Sequence, residues 1–535
     1  MPDMTQIYLK PNVVFEPLIN QWYAWTFLLQ PATCALVMKQ VHLRIMESFI
    51  RAPELHRRSA AKMAGGPFLN GGRELVPAVD ALIRDTRTRA APLLALADAL
   101  RELDELLARE GSGDTLSPLY ARVPEPLKGF VELGYDLRGH ASYRLFERLL
   151  YDSAGYLDAL QSVNGFLATS DDRSFMLSTP RFPDEHMVQI RLPFRDALYD
   201  ELFAARHAGA APDLIDRLLA HAEGGAARRA ALETWFTDAP PPRPPSAPVR
   251  AGQQPVRVRY FNHATVLVET AEFSLLTDPI VGYPLGQGED PFTFADLPER
   301  IDYVLLTHNH QDHIVLESLL QLRHRIGTLV VPRSHGGFLQ DPSIRLALEA
   351  CGFERVVEVG ELDSVPVPGG EIVALPFLGE HGDLHIAAKM AFALKVDGKS
   401  MLFAADSNNL QPELYQRIAQ RIGRIGTLFI GMECEGAPMS WLYGALLNEP
   451  LGRQFDQNRR LNGSDCERAW RLVECFAPRQ VFVYAMGAEP WLKFISSIEY
   501  APTSLPIVES DKLIARCHAH DIQSERLYLK KEIIL

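Results

Sequence analysis

The feature that most constrains the fold of this chain is the stretch LLTHNHQDHI, residues 305–314. Four potential metal ligands, His308, His310, Asp312 and His313, lie within six residues and directly follow the apolar run 301–306. On a regular strand His308 and His310 would point to the same face, and the turn that follows can direct Asp312 and His313 to a second centre. We therefore predict two adjacent metal ions, one held by each pair.

The chain is too long for a single hydrophobic core, and its composition marks one boundary. Residues 238–255 read DAPPPRPPSAPVRAGQQP, with six prolines between Pro240 and Pro248. Such a stretch cannot donate backbone hydrogen bonds regularly and favours an extended conformation. We interpret it as a linker between an N-terminal domain, 1–237, and a C-terminal domain, 256–535.

The two predicted domains differ in pattern. The N-terminal domain is expected to be a separate, mainly helical α+β domain, because residues 80–110 and 213–236 carry apolar side chains at helical spacing. Its aromatic segment PLINQWYAWTFLLQPAT, residues 17–33, is expected to form core or a subunit interface, with an exposed surface for a partner protein as the alternative. In the C-terminal domain strand-like apolar runs alternate with helical candidates, which predicts a layered α/β or α+β domain.

Charge and cysteine usage exclude several classes of protein. A formal net charge of −13 argues against a nucleic-acid binder, which needs a basic face. We find no apolar run of bilayer length and no basic segment followed by an apolar stretch at the start, so we predict neither a membrane span nor a signal peptide. The six cysteines form no CxxC pair, which is typical of a reduced, cytoplasmic protein.

Three segments resemble one fold family. THNHQDH resembles the HxHxDH signature of the metallo-β-lactamase fold, YFNHATVLVE (260–269) resembles its early hairpin, and LLTDPIV (275–281) resembles its next strand with an aspartate. The resemblance implies an αββα sandwich in the C-terminal half, with metals held by loops at one edge of two sheets.

Departures from the zinc-hydrolase pattern of that family bear on the choice of metal. Asp406, at the end of SMLFAAD, matches the aspartate that bridges two metals. After it the only histidines are His518 and His520, close to the C-terminus, so the last ligand of the zinc pattern has no clear match. The window for a third ligand reads FLGEHGDLH and offers Glu380, His381, Asp383 and His385. An oxygen-rich donor set favours iron over zinc.

A narrower resemblance covers nearly the whole chain. The segments NVVFEPLINQWYAW, GEHG, FAADSNN and GMECEGAPMSWLYG are similar to those of the di-iron β-hydroxylases of nonribosomal peptide pathways, an antibiotic-biosynthesis family whose type member belongs to the chloramphenicol pathway. The resemblance implies two sets of iron ligands: His308, His310 and Glu380 on one ion, and His313, Asp406 and Asp312 on the other. It also implies Asp406 as a candidate bridge and favours Glu380 over His381.

Further residues are assigned by the same resemblance. Glu433, in GMECEG, is expected to be an acid close to the cluster, with a surface-loop carboxylate as the alternative. His263 and His385 are expected to satisfy hydrogen bonds around the site or in the core. The apolar residues that follow Glu433, including Trp441 and Tyr443, are either core or the lining of a pocket for an aryl group.

The family's activity supplies the functional expectation. A di-iron monooxygenase takes two electrons from an external reductase, uses O₂ as co-substrate and hydroxylates the β-carbon of an aminoacyl thioester, expected to be aromatic, on a peptidyl carrier protein of a nonribosomal peptide synthetase. The N-terminal domain would then serve homodimerisation, carrier docking or both. The alternative is a zinc hydrolase of the same fold that uses metal-bound hydroxide. A binding module that kept the fold is disfavoured because every matched ligand position is intact. An O₂- or NO-reducing di-iron protein shares the carboxylate ligation, but that class usually carries a flavin domain, and the region after residue 500 is expected to be too short for one.

Overall fold

The computed structural model describes residues 6–62, 65–241, 256–286 and 290–535. Most of the predicted proline-rich linker, 242–255, lies outside the described residues. Before the linker the strands are β1 Tyr8–Leu9, β2 Val13–Ile19, β3 Trp22–Tyr23, β4 Val131–Tyr135, β5 Ala141–Leu145, β6 Gln161–Leu167, β7 Val188–Ile190 and β8 Phe236–Thr237. The helices are α1 Thr26–Leu29, α2 Pro31–Val37, α3 Leu43–Arg51, α4 Pro53–Lys62, α5 Val76–Arg89, α6 Ala91–Glu110, α7 Glu147–Tyr151, α8 Ala197–Ala204, α9 Leu214–Leu219 and α10 Arg229–Glu233.

After the linker strands predominate. They are β9 Arg257–Asn262, β10 Thr265–Glu269, β11 Ser274–Thr277, β12 Ile301–Leu305, β13 Ile326–Pro332, β14 Val356–Val359, β15 Ser364–Val367, β16 Gly370–Leu375, β17 Ala391–Val396, β18 Lys399–Phe403, β19 Thr427–Gly431, β20 Ala437–Pro438, β21 Arg460–Leu461, β22 Gln480–Tyr484, β23 Gln523–Arg526 and β24 Lys531–Ile534. The helices are α11 Leu316–Leu322, α12 Ile344–Ala350, α13 Pro412–Ile422, α14 Ser440–Tyr443, α15 Arg453–Asn458, α16 Cys466–Phe476, α17 Lys493–Ser496 and α18 Leu505–His518.

Two seven-stranded mixed sheets form the C-terminal half. The first has the order β14-β13-β12-β11-β10-β9-β24, with β11 to β14 parallel. The second has the order β15-β16-β17-β18-β19-β22-β23, with β18, β19, β22 and β23 parallel. The near-continuous apolar sequence of the central strands follows from burial on both faces. Every strand-like run noted in the sequence of this half is a strand.

The layers are those of an αββα sandwich, which confirms the predicted fold. Apolar side chains from the facing sides of both sheets form one buried cluster. Helices α13, α16 and α18 cover the outer face of the second sheet. Helices α11 and α12 cover the outer face of the first, and the N-terminal part packs on that layer within one continuous apolar cluster. The C-terminal half therefore does not complete its own core without the N-terminal part.

The N-terminal part confirms the predicted mixture of helices and strands. Its main sheet has the order β3-β2-β6-β7. The aromatic segment 17–33 is buried almost throughout, with Trp22 fully inaccessible, so the alternative of an exposed partner surface is wrong for this segment. The periodic stretch 80–110 divides into α5 and α6 at Ala90, because Pro92 cannot donate the backbone hydrogen bond that would continue one helix.

Buried charges join the N-terminal part to the first sheet's helix layer. The Glu317 side chain in α11 accepts hydrogen bonds from the Tyr23 hydroxyl at 2.8 Å and from the Arg173 guanidinium at 2.8 Å. Asp171 also pairs with Arg173, at 2.7 Å. These groups are all largely withdrawn from solvent, so each charge depends on its partner for compensation. None of the helices in the described ranges is long and apolar enough to cross a membrane.

We expect Arg173→Met to destabilise the whole chain. Removal of the guanidinium leaves Glu317 and Asp171 buried without their partner, which costs about 3–5 kcal/mol in free energy of unfolding. Urea denaturation followed by tryptophan fluorescence measures the change. The matched control is Arg57→Met, since Arg57 pairs with Glu54 on an exposed helix face and the expected loss is about 0–1 kcal/mol. Equal unfolding midpoints for the two variants would contradict the role given to Arg173.

Candidate metal centre

The predicted ligands come together at the carboxyl ends of parallel strands from both sheets. The motif 307–313 follows β12, Asp278 follows β11, Asp406 follows β18 and Glu433 follows β19. Ligand sites in α/β sheets favour this edge. The expectation that His308 and His310 lie on a regular strand is wrong, because β12 ends at Leu305. Both residues lie in the loop beyond it, where His308 makes an isolated bridge to Lys389.

Asp278 fixes the orientation of the loop and of His313. Its buried carboxylate accepts hydrogen bonds from the Thr307 backbone N–H at 2.8 Å, the Thr307 hydroxyl at 2.6 Å and His313 Nδ1 at 2.8 Å. A carboxylate can only accept, so Nδ1 of His313 carries a proton. Nε2 of His313 is then the nitrogen that is left for a metal, which is the arrangement of a carboxylate–histidine–metal triad.

The same reasoning assigns the tautomer of His308. The Thr307 hydroxyl donates its one proton to Asp278. It can therefore only accept a hydrogen bond from His308 Nδ1, which lies 3.0 Å away. Nε2 of His308 is therefore unprotonated in the neutral ring. It faces His310 Nδ1 at 3.2 Å.

His310 presents the other ring nitrogen. Its Nε2 lies 3.1 Å from the buried Tyr443 hydroxyl, and its Nδ1 lies 2.9 Å from Glu380 Oε1. Nδ1 of His310, Nε2 of His308 and the Glu380 carboxylate thus face one another. They form one of the groups whose ligand atoms all lie within 4.8 Å of one another.

Two further groups share His313. His313 Nε2 lies 3.0 Å from Asp406 Oδ2, and His308 completes a group with both. Asp312 and His263 form the third group with His313. The structure thus brings all six predicted ligands into one continuous cluster, with Asp406 between the His308 side and the His313 side.

The pKa values of the cluster residues are shifted by burial and by neighbouring charges. Burial lowers the pKa of His310 to about 4 and lowers the pKa of His308 well below its usual range. Burial opposes a charge on His313 as well, but the carboxylates of Asp406 and Asp278 raise its pKa well above the usual value. Burial, together with repulsion from Asp406, raises the pKa of Glu380. Uncharged nitrogens on one side and crowded carboxyl groups on the other match what a cation requires.

The donor set fits a pair of metal ions. His308 Nε2 and His310 Nδ1 lie 3.2 Å apart beside the Glu380 carboxylate, and a cation between them would satisfy all three groups. Asp406 Oδ1 is buried without a hydrogen-bond partner among the described residues. Three imidazoles and three carboxylates form the mixed nitrogen and oxygen set that suits iron.

His263 is excluded as a ligand by its own hydrogen bond. The Gly487 backbone N–H donates to His263 Nδ1 at 3.0 Å, so the neutral ring carries its proton on Nε2. Nε2 faces Asp312 Oδ2 at 3.6 Å. At this distance Nε2 makes no hydrogen bond to Asp312, and it offers no lone pair to a metal. The Nδ1 contact with Gly487 is the hydrogen bond beside the site that was expected of His263.

Glu433 lies in the wall of the pocket that contains the cluster. The pocket has a volume of about 280 Å³ and is lined by His310, Asp312, Glu380 and Asp406 on its floor. Oε2 of Glu433 lies 2.5 Å from the Tyr500 hydroxyl oxygen, and Oε1 accepts a hydrogen bond from the Gly436 N–H at 2.6 Å. The residue is thus no free surface carboxylate, and it belongs to none of the three ligand groups of the described chain.

The remaining histidines that the sequence offered belong to none of the three ligand groups of the described chain. His381 is buried beside His310, at 4.5 Å between ring centroids, but its Nδ1 faces the Gly379 carbonyl and it joins no ligand group of the described chain. His385 is exposed, so the expected role in the core is wrong. His518 and His520 lie at the end of α18, where their rings bond backbone carbonyls of Ser524 and Arg516.

Sequence reasoning did not predict the hydrogen bonds of several residues that shape the site. Asp278, Thr307, Tyr443 and Tyr500 each contact a predicted site residue. Of these four residues, only Asp278 was indicated by the resemblance to the fold family, because LLTDPIV is similar to an early strand of the fold with its aspartate. The tyrosines come from distant segments, so their contacts exist only in the folded chain.

A binuclear metal protein of the metallo-β-lactamase fold is the class that this sandwich and cluster define. Comparison with known families agrees: residues 274–435 match the β-lactamase superfamily domain, and residues 8–240 match the N-terminal domain of di-iron non-haem β-hydroxylases. A metal-dependent hydrolase of Anaeromyxobacter is 25% identical over 34% of this chain and 66% of its own.

Much greater similarity extends over the full length. The chain is 38% identical, over 98% of its length and 99% of the relative's, to the 4-amino-L-phenylalanyl-[CmlP-peptidyl-carrier-protein] 3-hydroxylase of Streptomyces venezuelae. The crystal structure of CmlA, a di-iron β-hydroxylase from Streptomyces venezuelae, superposes with a TM-score of 0.92 at 37% identity and covers 100% of both chains. The chain belongs to the di-iron β-hydroxylase family, and is therefore a non-haem di-iron oxygenase.

We expect Asp278→Asn to weaken metal binding about 10- to 100-fold, because the amide no longer holds the proton on Nδ1 of His313. Competitive titration of the metal-free protein with Fe²⁺ and a chelator measures the affinity. Asp302→Asn is the matched control, since Asp302 accepts hydrogen bonds from Ser274 in the same sheet but contacts no ligand. Unchanged affinity in Asp278→Asn would refute the triad.

Proposed function

We propose that the protein hydroxylates the β-carbon of an aminoacyl group carried as a thioester on a peptidyl carrier protein of a nonribosomal peptide synthetase. The family assignment supports the reaction type. The full-length relative, 38% identical, acts on a carrier-bound phenylalanine derivative, which supports this class of substrate. The overall reaction inserts one oxygen of O₂ into a C–H bond, and two electrons with two protons reduce the other oxygen to water.

In this proposal His308, His310 and Glu380 would hold one iron, and Asp312, His313 and Asp406 would hold the other. Asp406 belongs with His308 to one ligand group and is the candidate to serve both ions. The observation that carries it is the Glu380 carboxylate, 2.9 Å from His310 Nδ1. It stands in the sequence window where zinc hydrolases of this fold place a histidine. The carboxylate shifts the donor set from the one that suits zinc towards one that suits iron.

When bound, a di-iron pair supplies the redox chemistry that reduces O₂ and oxidises the C–H bond. The chain's own residues hold the donors and the substrate in place. Asp278 and Thr307 keep the histidine protons on the side away from the cluster, and Tyr443 fixes the ring of His310. Because His308 and His310 are buried, their rings stay uncharged at neutral pH and need no rearrangement to bind metal.

The lining of the pocket beside the cluster supports the proposal that the substrate has an aromatic side chain. Trp441, Leu442, Leu461 and Ile498 form apolar parts of its wall. The Trp441 ring is braced by Phe175 of the N-terminal part at 5.6 Å between centroids. Serine residues at 496, 497 and 504 line the same pocket and provide hydroxyl groups for the amide-containing arm that carries an acyl group on a carrier protein.

Assembly and cellular context complete the proposal. Residues 1–237 serve homodimerisation and carrier docking, and an external reductase supplies the two electrons. We place the reaction in the cytoplasm, because all six cysteines are free thiols.

Metal content and O₂-dependent product formation test the proposal together. Protein produced with iron and zinc both available is expected to contain two irons per chain. After chemical reduction it should add one oxygen atom to a 4-amino-L-phenylalanyl or phenylalanyl thioester on a carrier protein, detected by mass spectrometry. Two zincs per chain with no O₂-dependent product would instead indicate a hydrolase.

The variant Glu380→Gln should lose iron from one site and lower product formation by roughly 100-fold or more, because a neutral amide is a poor iron ligand. Glu371→Gln is the control. Glu371 lies on an exposed part of the second sheet, where it accepts from Ser364. Wild-type iron content in Glu380→Gln would show that His381, and not Glu380, is the ligand.

A further inference from the structure

Tyr500 carries one hydroxyl proton but has two acceptors. Its oxygen lies 2.5 Å from Glu433 Oε2 and 2.9 Å from the Met486 carbonyl oxygen. The carbonyl can only accept. Both contacts are hydrogen bonds at the same time only if Glu433 is protonated and donates to Tyr500 while Tyr500 donates to Met486.

The surroundings of Glu433 favour that protonated form. Its Oε1 accepts from two backbone N–H groups, so Oε2 is the oxygen left to hold a proton. Burial raises the pKa of Glu433. The charged groups that share its pocket wall are mostly acidic, namely Asp312, Glu380, Asp406, Glu435 and Glu499, with Arg460 as the basic exception.

Tyr500 also separates two cavities. One is the metal-centre pocket, which Glu433 lines. The other has a volume of about 690 Å³ and lies against α18 and β23, where Met486, His518 and Arg526 line it. Tyr500 lines both, so this residue lies between the metal-centre pocket and a second space.

The reaction proposed above consumes two protons for each O₂, and the ligand histidines cannot provide them. Nδ1–H of His308 is bound to Thr307, and Nδ1–H of His313 is bound to Asp278. With Nδ1 of His310 turned to the metal, its proton lies on Nε2, where it is bound to the Tyr443 hydroxyl. A separate acid within the pocket is required.

We propose that Glu433 and Tyr500 form a proton path from the second cavity to the metal centre, with Glu433 as the acid and Tyr500 as the residue that recharges it. Glu433 releases its Oε2 proton into the pocket. The Tyr500 hydroxyl then turns from Met486 to Glu433 Oε2 and transfers its proton. In the same step its oxygen takes up a proton from solvent water in the second cavity, so each proton delivered to the pocket is replaced by one from bulk water. No electron moves in these steps; the external donor of the monooxygenase reaction supplies both electrons.

The inference rests on the proposed monooxygenase function for its need of protons, but its first test needs no turnover. Infrared spectra of the iron-loaded full chain in H₂O and D₂O should show a protonated-carboxyl band that shifts with the isotope. Glu433→Gln should remove this band, and Tyr500→Phe should keep it at a higher frequency, because the hydrogen bond is lost. A spectrum that Glu433→Gln leaves unchanged overturns the proposal, whether or not the substrate class is correct.

Kinetics on the same proteins provide the second test. With reduced iron-loaded enzyme and the 4-amino-L-phenylalanyl thioester of a carrier protein, Tyr500→Phe should form product about 100-fold more slowly at normal iron content and show a larger solvent isotope effect. The control Tyr199→Phe also removes a buried hydroxyl that donates to backbone carbonyls, but far from the cluster, and should retain the wild-type isotope effect. A wild-type rate and isotope effect in Tyr500→Phe would overturn the path.

Discussion

The buried carboxylate of Asp278 is the interaction on which the rest of the metal centre depends. It accepts hydrogen bonds from the backbone N–H and the hydroxyl of Thr307 and from Nδ1–H of His313. Three donors thus compensate one charge that is buried away from water. Through Thr307 it also sets the tautomer of His308. One side chain at the end of β11 thereby decides which nitrogen two of the ligating histidines present, although it contacts no substrate itself. The backbone accommodates it in a left-handed conformation, φ 33°.

The sequence predicted those parts of the molecule that depend on local pattern. The sandwich strands are apolar runs because they are buried on both faces, and the cluster motif is compact in sequence, so both could be read directly. The orientation of each ligand could not. It depends on Asp278 and Tyr443, which reach the cluster from segments about 30 and 130 residues away in sequence, as their own hydrogen bonds show. The exposed position of His385 likewise follows from a loop path that no periodicity encodes.

The N-terminal part contributes to the site without supplying a ligand. Tyr23 and Arg173 hold Glu317 in α11, the helix that begins three residues after His313. The Arg173 guanidinium also stacks on the Phe494 ring at 3.6 Å, and the Met176 N–H donates to the Phe494 carbonyl. Phe494 directly precedes the segment 496–500 that lines the pocket. One buried network therefore supports the ligand loop on one side and the pocket wall on the other, which couples the packing of the two halves to the geometry of the centre.

The three motifs GEHG, FAADSNN and GMECEGAPMSWLYG pack against one another. Together they position the Glu380 carboxylate. Gly379 lies so close to Asn408 that an added Cβ would stand 2.5 Å from the Asn408 side chain, and Gly382 lies equally close to Met439, at 2.6 Å. Both glycines have positive φ, and Glu380 between them is left-handed at φ 69°. A side chain at either glycine would push this loop, and with it the carboxylate, away from His310. The shift from a histidine-rich to an oxygen-rich centre therefore needs more than one substitution at position 380: it needs the glycines that allow the loop to pack against the segments after Asp406 and Glu433.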